Sequence, residues 1–364
     1  MGHQQPLFER AEAGRMRVHV LPTDRFKTCA ISVFVGRPLS DEEVTPAALI
    51  PFVLRRGTER HPETKRFREE LDRLYGAGFG FDIFKRGNHH IVQFRLEIID
   101  DRFVSGEANL LRQALALLGQ VMTRPALEDG VFIKKYVDAE KNTLRSKLEA
   151  VINDKIRYAY ERCTALTFPD DPFRHHALGR LEKLQELDVQ SLFAFYRRWL
   201  SDSQIDMYVV GNTSTEAVLD AVKAEFFLES AADSPLPYRF VPPETRGERR
   251  ARTITDRMDV TQGKLNIGLV TPVLRSDPRY PAMLLYNGVL GGYPHSKLFT
   301  NVREKANLAY YVSSRYDGFK GFVMIQTGIE IANRDKALGL IEEQLEDMRA
   351  GRIEEAEIDR TKKI

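Results

Sequence analysis

The amino-acid sequence predicts an α+β protein of two homologous units, each a mostly antiparallel sheet with helices packed on one face. Three observations support this prediction. The chain contains an internal repeat. Apolar residues recur along its segments with the period of either a strand or a helix. Its 364 residues are too many for one ordinary core and suit two domains.

The repeat is the strongest of the three observations. A shift of 234 positions places the strand-like segment Ile31–Val35 on Leu265–Leu269. In each copy a turn with proline follows, and then an apolar helix that ends at glycine. Further along, the shift becomes 231, and the strand-like segment Val92–Leu96 falls on Val323–Thr327. A shared order of elements over so long a stretch indicates one unit used twice.

Apolar periodicity predicts the remaining elements. One face of a helix is marked between Leu110 and Met122, and another between Leu144 and Ile152, within a long helical segment from about Glu128 to Cys163. The second copy shows the same pattern between Leu338 and Met348. An alternating strand at Ile205–Val210 precedes a helix at 215–227.

Composition changes between the two copies define the boundaries. Residues 229–253 are rich in proline and polar residues and show neither period, so we interpret them as an extended linker. The first unit is then 1–228 and the second 254–364. Nothing in the second copy corresponds to residues from about 140 to 227. We therefore expect the second unit to be incomplete, either by truncation or naturally.

Charge and composition disfavour several functions. The net charge is +2, from 54 basic and 52 acidic residues that are interspersed, so nucleic-acid binding is disfavoured. No apolar run approaches the roughly 20 residues of a membrane span, and no secretory signal is visible. Cys29 and Cys163 fall in a predicted strand and a predicted helix. Free thiols in a reducing cytoplasm are favoured, although a bridge between the two remains open.

Proline at position 51 conflicts with the first predicted helix. A proline inside a helix removes a hydrogen bond and clashes with the preceding turn. We therefore predict a kink at Pro51 or a helix that starts there.

The most distinctive residues lie between Gly288 and Ser314. They comprise a double glycine, a Ser-x-Leu-Phe helix start and an arginine seven residues ahead of a tyrosine, namely Gly291-Gly292, Ser296, Leu298-Phe299, Arg303-Glu304 and Leu308-Ala309-Tyr310. In this order they resemble the insulinase-type family of zinc peptidases, which includes pitrilysin and the mitochondrial processing peptidase. The resemblance covers essentially the whole chain. One departure is Asn307, where the family usually has glycine; asparagine tolerates a left-handed backbone.

The resemblance implies a role for Arg303 and Tyr310. In the family, this pair in the second half of the molecule holds the substrate carbonyl opposite a zinc site in the first half. A guanidinium and a phenol are donors suited to a carbonyl oxygen and to the oxyanion it becomes. An isolated pair would more simply be an arginine bound to a carboxylate and a half-buried strand tyrosine. The matching flanks favour the binding role.

The resemblance also implies that the zinc site is missing. Catalytic members carry His-x-x-Glu-His, in which two histidines one helical turn apart bind zinc and the glutamate takes a proton from the metal-bound water. Counting back from Gly57-Thr58, these positions are Ala48, Pro51 and Phe52. The third ligand of the family follows a Glu-Lys opening that Glu140-Lys141 matches, which places it at Lys147 or, with a slip of two, at Glu149. We expect no metal in this chain.

Other histidines offer no obvious replacement. His89-His90 and His175-His176 are adjacent pairs, and neighbouring residues on a strand or helix point in different directions. We expect His89 and His90 to be surface residues at the start of a strand.

A family member with the Arg–Tyr pair but without zinc ligands resembles the non-catalytic subunit of a two-chain peptidase. The resemblance implies a homologous partner that carries zinc and a chamber that admits unfolded peptides, whose edge strands can pair with an extended substrate. Two alternatives remain open. One is a structural or binding scaffold of the same fold, and the other is an independent zinc protease with different ligands.

Overall fold

A computed structural model of the chain describes residues 7–106, 109–228 and 252–364. The strands are β1 (Glu9–Ala13), β2 (Met16–Pro22), β3 (Thr28–Pro38), β4 (Gly78–Arg86), β5 (His89–Ile99), β6 (Leu127–Glu128), β7 (Val131–Phe132), β8 (Gln204–Gly211), β9 (Gly263–Val270), β10 (Ala309–Asp317) and β11 (Phe322–Ile329). The α-helices are α1 (Val44–Leu54), α2 (Thr64–Arg73), α3 (Leu110–Thr123), α4 (Lys134–Asn153), α5 (Lys155–Thr167), α6 (Leu181–Glu186), α7 (Val189–Asp202), α8 (Thr215–Glu225), α9 (Tyr280–Asn287), α10 (Arg334–Arg349) and α11 (Glu355–Lys362). The predicted α+β class is confirmed.

The first sheet has the strand order β1-β2-β8-β3-β5-β4. Strands β2 and β8 are parallel, whereas the β1/β2, β8/β3 and β3/β5 pairs are antiparallel. The side chains of β3 that face the core, such as Ile31, Val33 and Val35, are at most 1% exposed. They pack in one apolar cluster with residues of α1, α3 and α7.

The three strands of the second sheet correspond to the three strands β3, β5 and β4 at one edge of the first sheet. It is antiparallel with the order β10-β11-β9. When the chain is shifted by 231 positions, Ala309–Asp317 falls on Gly78–Arg86, so β10 corresponds to β4 from end to end. Strands β9 and β11 likewise correspond to β3 and β5. The three-strand order is therefore the same in both copies, and the repeat found in the sequence is a structural one.

The chain divides into two compact units whose boundaries differ from those expected. Within the described ranges, the first unit contains the residues up to Lys85, His89–Leu148 and those from His175 to 228. The second contains Arg86–Asn88, Glu149–Arg174 and the residues from 252 onward. The segment 149–174 thus belongs to the second unit, although the sequence placed it in the first. The predicted linker 229–253 lies almost entirely outside the described residues.

A helix break explains this difference. The predicted long helix ends at Asn153 and a new one, α5, begins after Asp154. The Asp154 carboxylate accepts hydrogen bonds from the backbone N–H groups of Ile156 and Arg157, both at 3.1 Å. Aspartate at such a position caps a helix start. The local capping signal therefore separates two helices that the apolar pattern had joined.

Helix α5 packs against β9 of the second sheet. A Cβ atom added to Gly268 on β9 would meet the Thr167 side chain at 2.2 Å, so glycine is required for this close approach. The neighbouring β9 residues Leu265, Ile267 and Leu269 pack instead into the apolar cluster that contains α10. Because successive residues of a strand face opposite sides, the second sheet has a helix on each face.

A buried lysine fixes the end of the same segment. Lys320 is 1% exposed, and its Nζ lies 2.5 Å from Asp171 Oδ2 and 2.5 Å from Asn88 Oδ1. The ammonium also lies 5.1 Å from the centre of the Phe168 ring. An ammonium this deeply buried is stable only when it is paired. These contacts hold residues 86–88 and 168–171 in the second unit.

Helix α1 is apolar on all sides. Every residue from Val44 to Leu54 is buried, including Pro51. The prediction that the helix starts at Pro51 is wrong, because the helix continues across it and the Arg55 N–H donates to the Pro51 carbonyl at 3.3 Å. A fully buried helix gains enough packing energy to tolerate one missing backbone hydrogen bond.

Two further features concern the chain as a whole. None of the helices in the described ranges is both long and apolar enough to cross a membrane. Cys29 on β3 is buried, Cys163 on α5 is partly buried, and both thiols are free. Burial raises the pKa of the Cys29 thiol to about 12, so this cysteine is an inert core residue.

Candidate functional site

The double glycine positions the segment that carries Arg303. Residues Gly288–Gly292 form a π-helical turn directly after α9. A Cβ atom on Gly291 would lie 2.8 Å from both the Leu298 side chain and the Ser314 backbone of β10. Only glycine allows the turn to approach the sheet so closely. The sequence motif is therefore a packing requirement that places the next helical segment beside β10.

Arg303 lies in a second π-helical segment, Phe299–Lys305. Val302 is fully buried and anchors the segment, whereas Arg303 itself is exposed. The Arg303 guanidinium lies 4.6 Å from the centre of the Phe299 ring. Among the described residues no carboxylate forms an ion pair with it. π-Helical turns are rare and are often found at functional sites.

The turn after this segment uses the predicted left-handed residue. Asn307 has φ 51°, and the next N–H, that of Leu308, donates to the Val302 carbonyl at 3.0 Å. Asparagine thus fills the position at which the family usually has glycine, as the sequence indicated. The turn leads directly into β10.

Tyr310 occupies a β-bulge at the start of β10. Ala309 pairs with Ile329 and Tyr311 with Gly328, so Tyr310 is the extra residue without a cross-strand partner. Bulges redirect a side chain away from the regular alternation and are frequent next to active sites. The Tyr310 side chain is 49% exposed, and its hydroxyl lies 3.4 Å from Glu330 Oε1.

The two residues are thus presented by adjacent elements. The segment Phe299–Lys305 packs against β10. One element offers a guanidinium without a carboxylate partner and the other a phenol with one long hydrogen bond. Both are donors, and both are accessible to a ligand. The arrangement can bind a carbonyl oxygen or an anion.

The expected zinc positions lie in the core. Ala48 is fully buried, Phe52 is 3% exposed and Pro51 is also buried. The Phe52 ring packs edge-on against Phe81, with ring centres 4.8 Å apart. None of the three side chains has an atom that can bind zinc. Across residues 7–106, 109–228 and 252–364 no cluster of three or more His, Cys, Asp or Glu could hold a metal.

A buried ion cluster lies beside these positions. Glu140 on α4 is fully buried, and its carboxylate contacts two guanidiniums: Arg56 Nε at 2.5 Å and Arg55 Nη2 at 3.3 Å. Arg55 also lies 5.4 Å from the Phe52 ring centre and 5.5 Å from that of Phe81. Arginine charge therefore neutralises this carboxylate within the protein. The sequence motif points to Glu140 but not to its partners, although Arg55 and Arg56 directly precede Gly57-Thr58.

The positions predicted for the third ligand are at the surface. Lys147 and Glu149 on α4 are both exposed and lie on either side of the buried Leu148. Neither side chain contributes to the core that encloses Ala48 and Phe52. The structure therefore does not bring the four motif positions together as a metal site.

Three histidines of the two adjacent pairs, His89, His90 and His175, are interior residues. His89 and His90 open β5 as predicted, but both are only 4% exposed, so the expectation of surface positions is wrong. His90 Nε2 lies 2.8 Å from the Ala177 carbonyl oxygen. Burial lowers the pKa of His90 to about 4, which keeps the ring neutral at neutral pH. His175 is also buried and pairs with Asp41.

Comparisons with known proteins agree with the resemblance. Residues 186–364 match the family described as "Peptidase M16 inactive domain". The chain is 36% identical over 355 residues to "Probable inactive metalloprotease YmfF" of Bacillus subtilis (strain 168), which covers 98% of this chain and 82% of that protein. The chain belongs to the M16 peptidase family. Within it, this M16 chain is a non-catalytic member, as its matches to an inactive M16 domain and to a probable inactive metalloprotease indicate.

Solved structures share the fold of this chain. A conserved protein from Enterococcus faecalis V583 is 31% identical with a TM-score of 0.87, covering 98% of this chain and 83% of that one. The peptidase M16 inactive domain from Pseudomonas fluorescens has a TM-score of 0.78 over 98% of this chain and 82% of its own. Its identity of 18% shows a shared fold alone.

Proposed function

We propose that this chain is the non-catalytic subunit of a two-chain zinc metallopeptidase. In this proposal a homologous partner carries the zinc, and Arg303 and Tyr310 bind the substrate carbonyl and the oxyanion that forms from it. The observation that supports it best is the contrast between the two halves. Arg303 and Tyr310 are accessible on a π-helical turn and a β-bulge, whereas the chain's own zinc positions are apolar and buried.

The chemistry of the pair fits this role. Negative charge develops on the carbonyl oxygen when water attacks a peptide bond, and fixed donors stabilise that charge. Arg303 has no carboxylate partner among the described residues, so binding a substrate oxygen breaks no ion pair. Tyr310 must exchange only a 3.4 Å hydrogen bond to Glu330. The substrate class is a peptide or an unfolded polypeptide, bound with little sequence preference.

A second candidate function is a scaffold of the same fold without a role in proteolysis. One observation favours it: each member of the pair already has a contact within the chain. The Arg303 guanidinium stacks on Phe299 and the Tyr310 hydroxyl contacts Glu330. A scaffold would use these contacts to stabilise the turn and nothing more. The free thiols Cys29 and Cys163 support a reducing, cytoplasmic setting for either function.

Peptide cleavage by a co-purified pair of chains tests the proposal. The partner is an M16 chain with His-x-x-Glu-His, first sought beside this gene, and the substrate is an unstructured fluorogenic peptide. We expect the pair to cleave it and each chain alone to be inactive. Arg303→Ala and Tyr310→Phe should each lower kcat/KM roughly 100-fold, which corresponds to about 3 kcal/mol of transition-state stabilisation.

Matched controls separate catalysis from folding. Lys305→Ala lies on the same π-helical segment and Tyr311→Phe is the next residue of β10, and neither should change cleavage. If the pair cleaves normally with Arg303→Ala, the scaffold is the correct function. If this chain alone cleaves the peptide and contains about one equivalent of zinc, it is an independent protease and both proposals fail.

A further inference from the structure

Helix α11 packs against the stretch of chain that leads into the π-helical segment Phe299–Lys305. It contacts both α9 and the π-helical turn Gly288–Gly292. A Cβ atom added to Gly288 would lie 2.5 Å from the Thr361 side chain of α11 and 2.9 Å from the Tyr293 ring. Glycine is therefore required for the close approach of α11 to this stretch.

A largely buried ion pair connects α11 to the same stretch. Lys297 is 9% exposed, and its Nζ lies 3.0 Å from Glu357 Oε2 on α11. The same carboxylate oxygen accepts a hydrogen bond from the Glu354 backbone N–H at 2.9 Å, as part of a capping box at the start of the helix. The capping box thus holds the carboxylate that Lys297 contacts. Because little water reaches the pair, loss of one partner leaves a poorly compensated charge.

A second polar contact joins this stretch to the last turn of α11. His295 Nε2 lies 3.1 Å from Thr361 Oγ1. The Thr361 hydroxyl donates its single proton to the Glu357 carbonyl at 2.8 Å, so His295 is the donor in its own contact with that hydroxyl. The Tyr293 ring stacks on the His295 ring, with their centres 5.6 Å apart. Both turns of α11 therefore contact residues 293–297.

The ion pair lies where the π-helical segment begins. Lys297 directly precedes Leu298, which is fully buried, as is Val302 within the segment. These apolar contacts hold the segment against the core, but apolar packing has little directional preference. On the side facing α10, the Asn301 side chain donates to Gln344 at 2.5 Å. Lys297 supplies the corresponding directional contact at the start of the segment.

We propose that Lys297 and Glu357 are positioning residues for Arg303. This inference rests on the proposed function, because it concerns the same carbonyl-binding site. The ion pair fixes the start of the π-helical segment and so keeps the Arg303 guanidinium directed at the oxyanion. Neither Lys297 nor Glu357 contacts the substrate. Without the pair the guanidinium occupies a wider range of positions, and a donor that is misplaced by about 1 Å stabilises the transition state much less.

A double-mutant cycle in the two-chain peptidase tests this role. Lys297→Met removes the ammonium and keeps the length of the side chain. We expect kcat to fall about tenfold with little change in KM, because the oxyanion forms only in the transition state. In an Arg303→Ala background the same change should have no further effect, because the residue through which it acts is absent. Lys297→Arg, which keeps the charge, should restore most of the activity.

Two further variants guard against a general loss of stability. Glu357→Gln keeps an oxygen for the capping box but removes the charge, and it should reproduce the effect of Lys297→Met. Arg349→Met breaks an exposed ion pair with Glu346 on α10 and should leave kcat unchanged. An equal loss from Lys297→Met with and without Arg303 would overturn the assignment, as would an unchanged kcat.

Hydrogen exchange of this chain alone separates the inference from the proposed function. Lys297→Met should speed the exchange of amides in residues 299–305, whereas those of β3 should keep their protection. If the exchange changes in this way but the unmodified pair of chains cleaves no peptide, the proposed function fails and the positioning of Arg303 by the ion pair stands. Unchanged exchange in residues 299–305 would overturn the positioning, whatever the activity of the pair.

Discussion

The protonation state of individual residues in this protein depends on the groups that pack around them. His90 is a clear case. Its ring lies at the start of β5, only 4% exposed, with Nε2 2.8 Å from the Ala177 carbonyl oxygen. Burial disfavours the charged form and lowers its pKa to about 4. In the unfolded chain the pKa returns to about 6.5. Protonation is therefore coupled to unfolding.

This coupling predicts acid sensitivity. Between pH 6.5 and 4 the unfolded chain binds the extra proton and the folded chain does not, so stability is present above pH 6.5 and falls as the pH drops towards 4. The loss attributable to His90 is at most about 3 kcal/mol. Urea unfolding at several pH values measures it. His90→Gln should flatten the decline, whereas His61→Gln should not. An identical pH profile for His90→Gln would refute the coupling.

Elements are joined by contacts that the sequence pattern does not show. The end of α1 and the middle of α4 are linked by the cluster of Arg55, Arg56 and Glu140. The Glu140 carboxylate is fully buried, so its charge depends on these two guanidiniums. Arginine thus supplies positive charge beside Phe52, one of the expected zinc positions.

Removing one partner of this cluster should therefore be costly. Arg56→Ala leaves a buried carboxylate with the more distant Arg55 alone, and we expect a loss of about 3 kcal/mol in the free energy of unfolding. Adding Glu140→Gln should recover part of that loss, because the buried charge is then gone. Arg66→Ala, which breaks an exposed pair with Glu69, should cost less than about 0.5 kcal/mol. Equal losses for Arg56→Ala and Arg66→Ala would show that the buried cluster contributes no more to the free energy of unfolding than an exposed ion pair does.

For the whole molecule, the important finding is that segment 149–174 belongs to the second unit. Helix α5 covers β9, and Lys320 holds Asp171 and Asn88. The domain boundary at residue 228 that composition suggests would separate α5 from the sheet on which it packs.

A chain that ends at residue 228 tests this assignment by hydrogen exchange. We expect the amides of α5 to lose their protection in the shortened chain, since β9 is absent, while those of β3 and β5 keep theirs. In the full chain all three elements should be protected. Retained protection of α5 in the shortened chain would place it in the first unit after all.

The sequence by itself determined the repeat, the α+β class and most elements, and it predicts a role for the pair Arg303 and Tyr310. These follow from local periodicity and from short-range motifs, which depend on residues near one another in the chain. It also indicated the left-handed Asn307. It did not reveal that Tyr310 lies on a bulge, because register depends on the partner strand β11.

Only the tertiary structure decided which charges meet and which histidines are buried. Glu140 is 84 residues from Arg56, and Ala177 is 87 residues from His90, so neither contact leaves a local pattern in the sequence. The same holds for α5, whose partner strand β9 lies about a hundred residues further along the chain. Contacts between residues so distant in sequence are fixed by packing, and packing is a property of the folded molecule rather than of any segment.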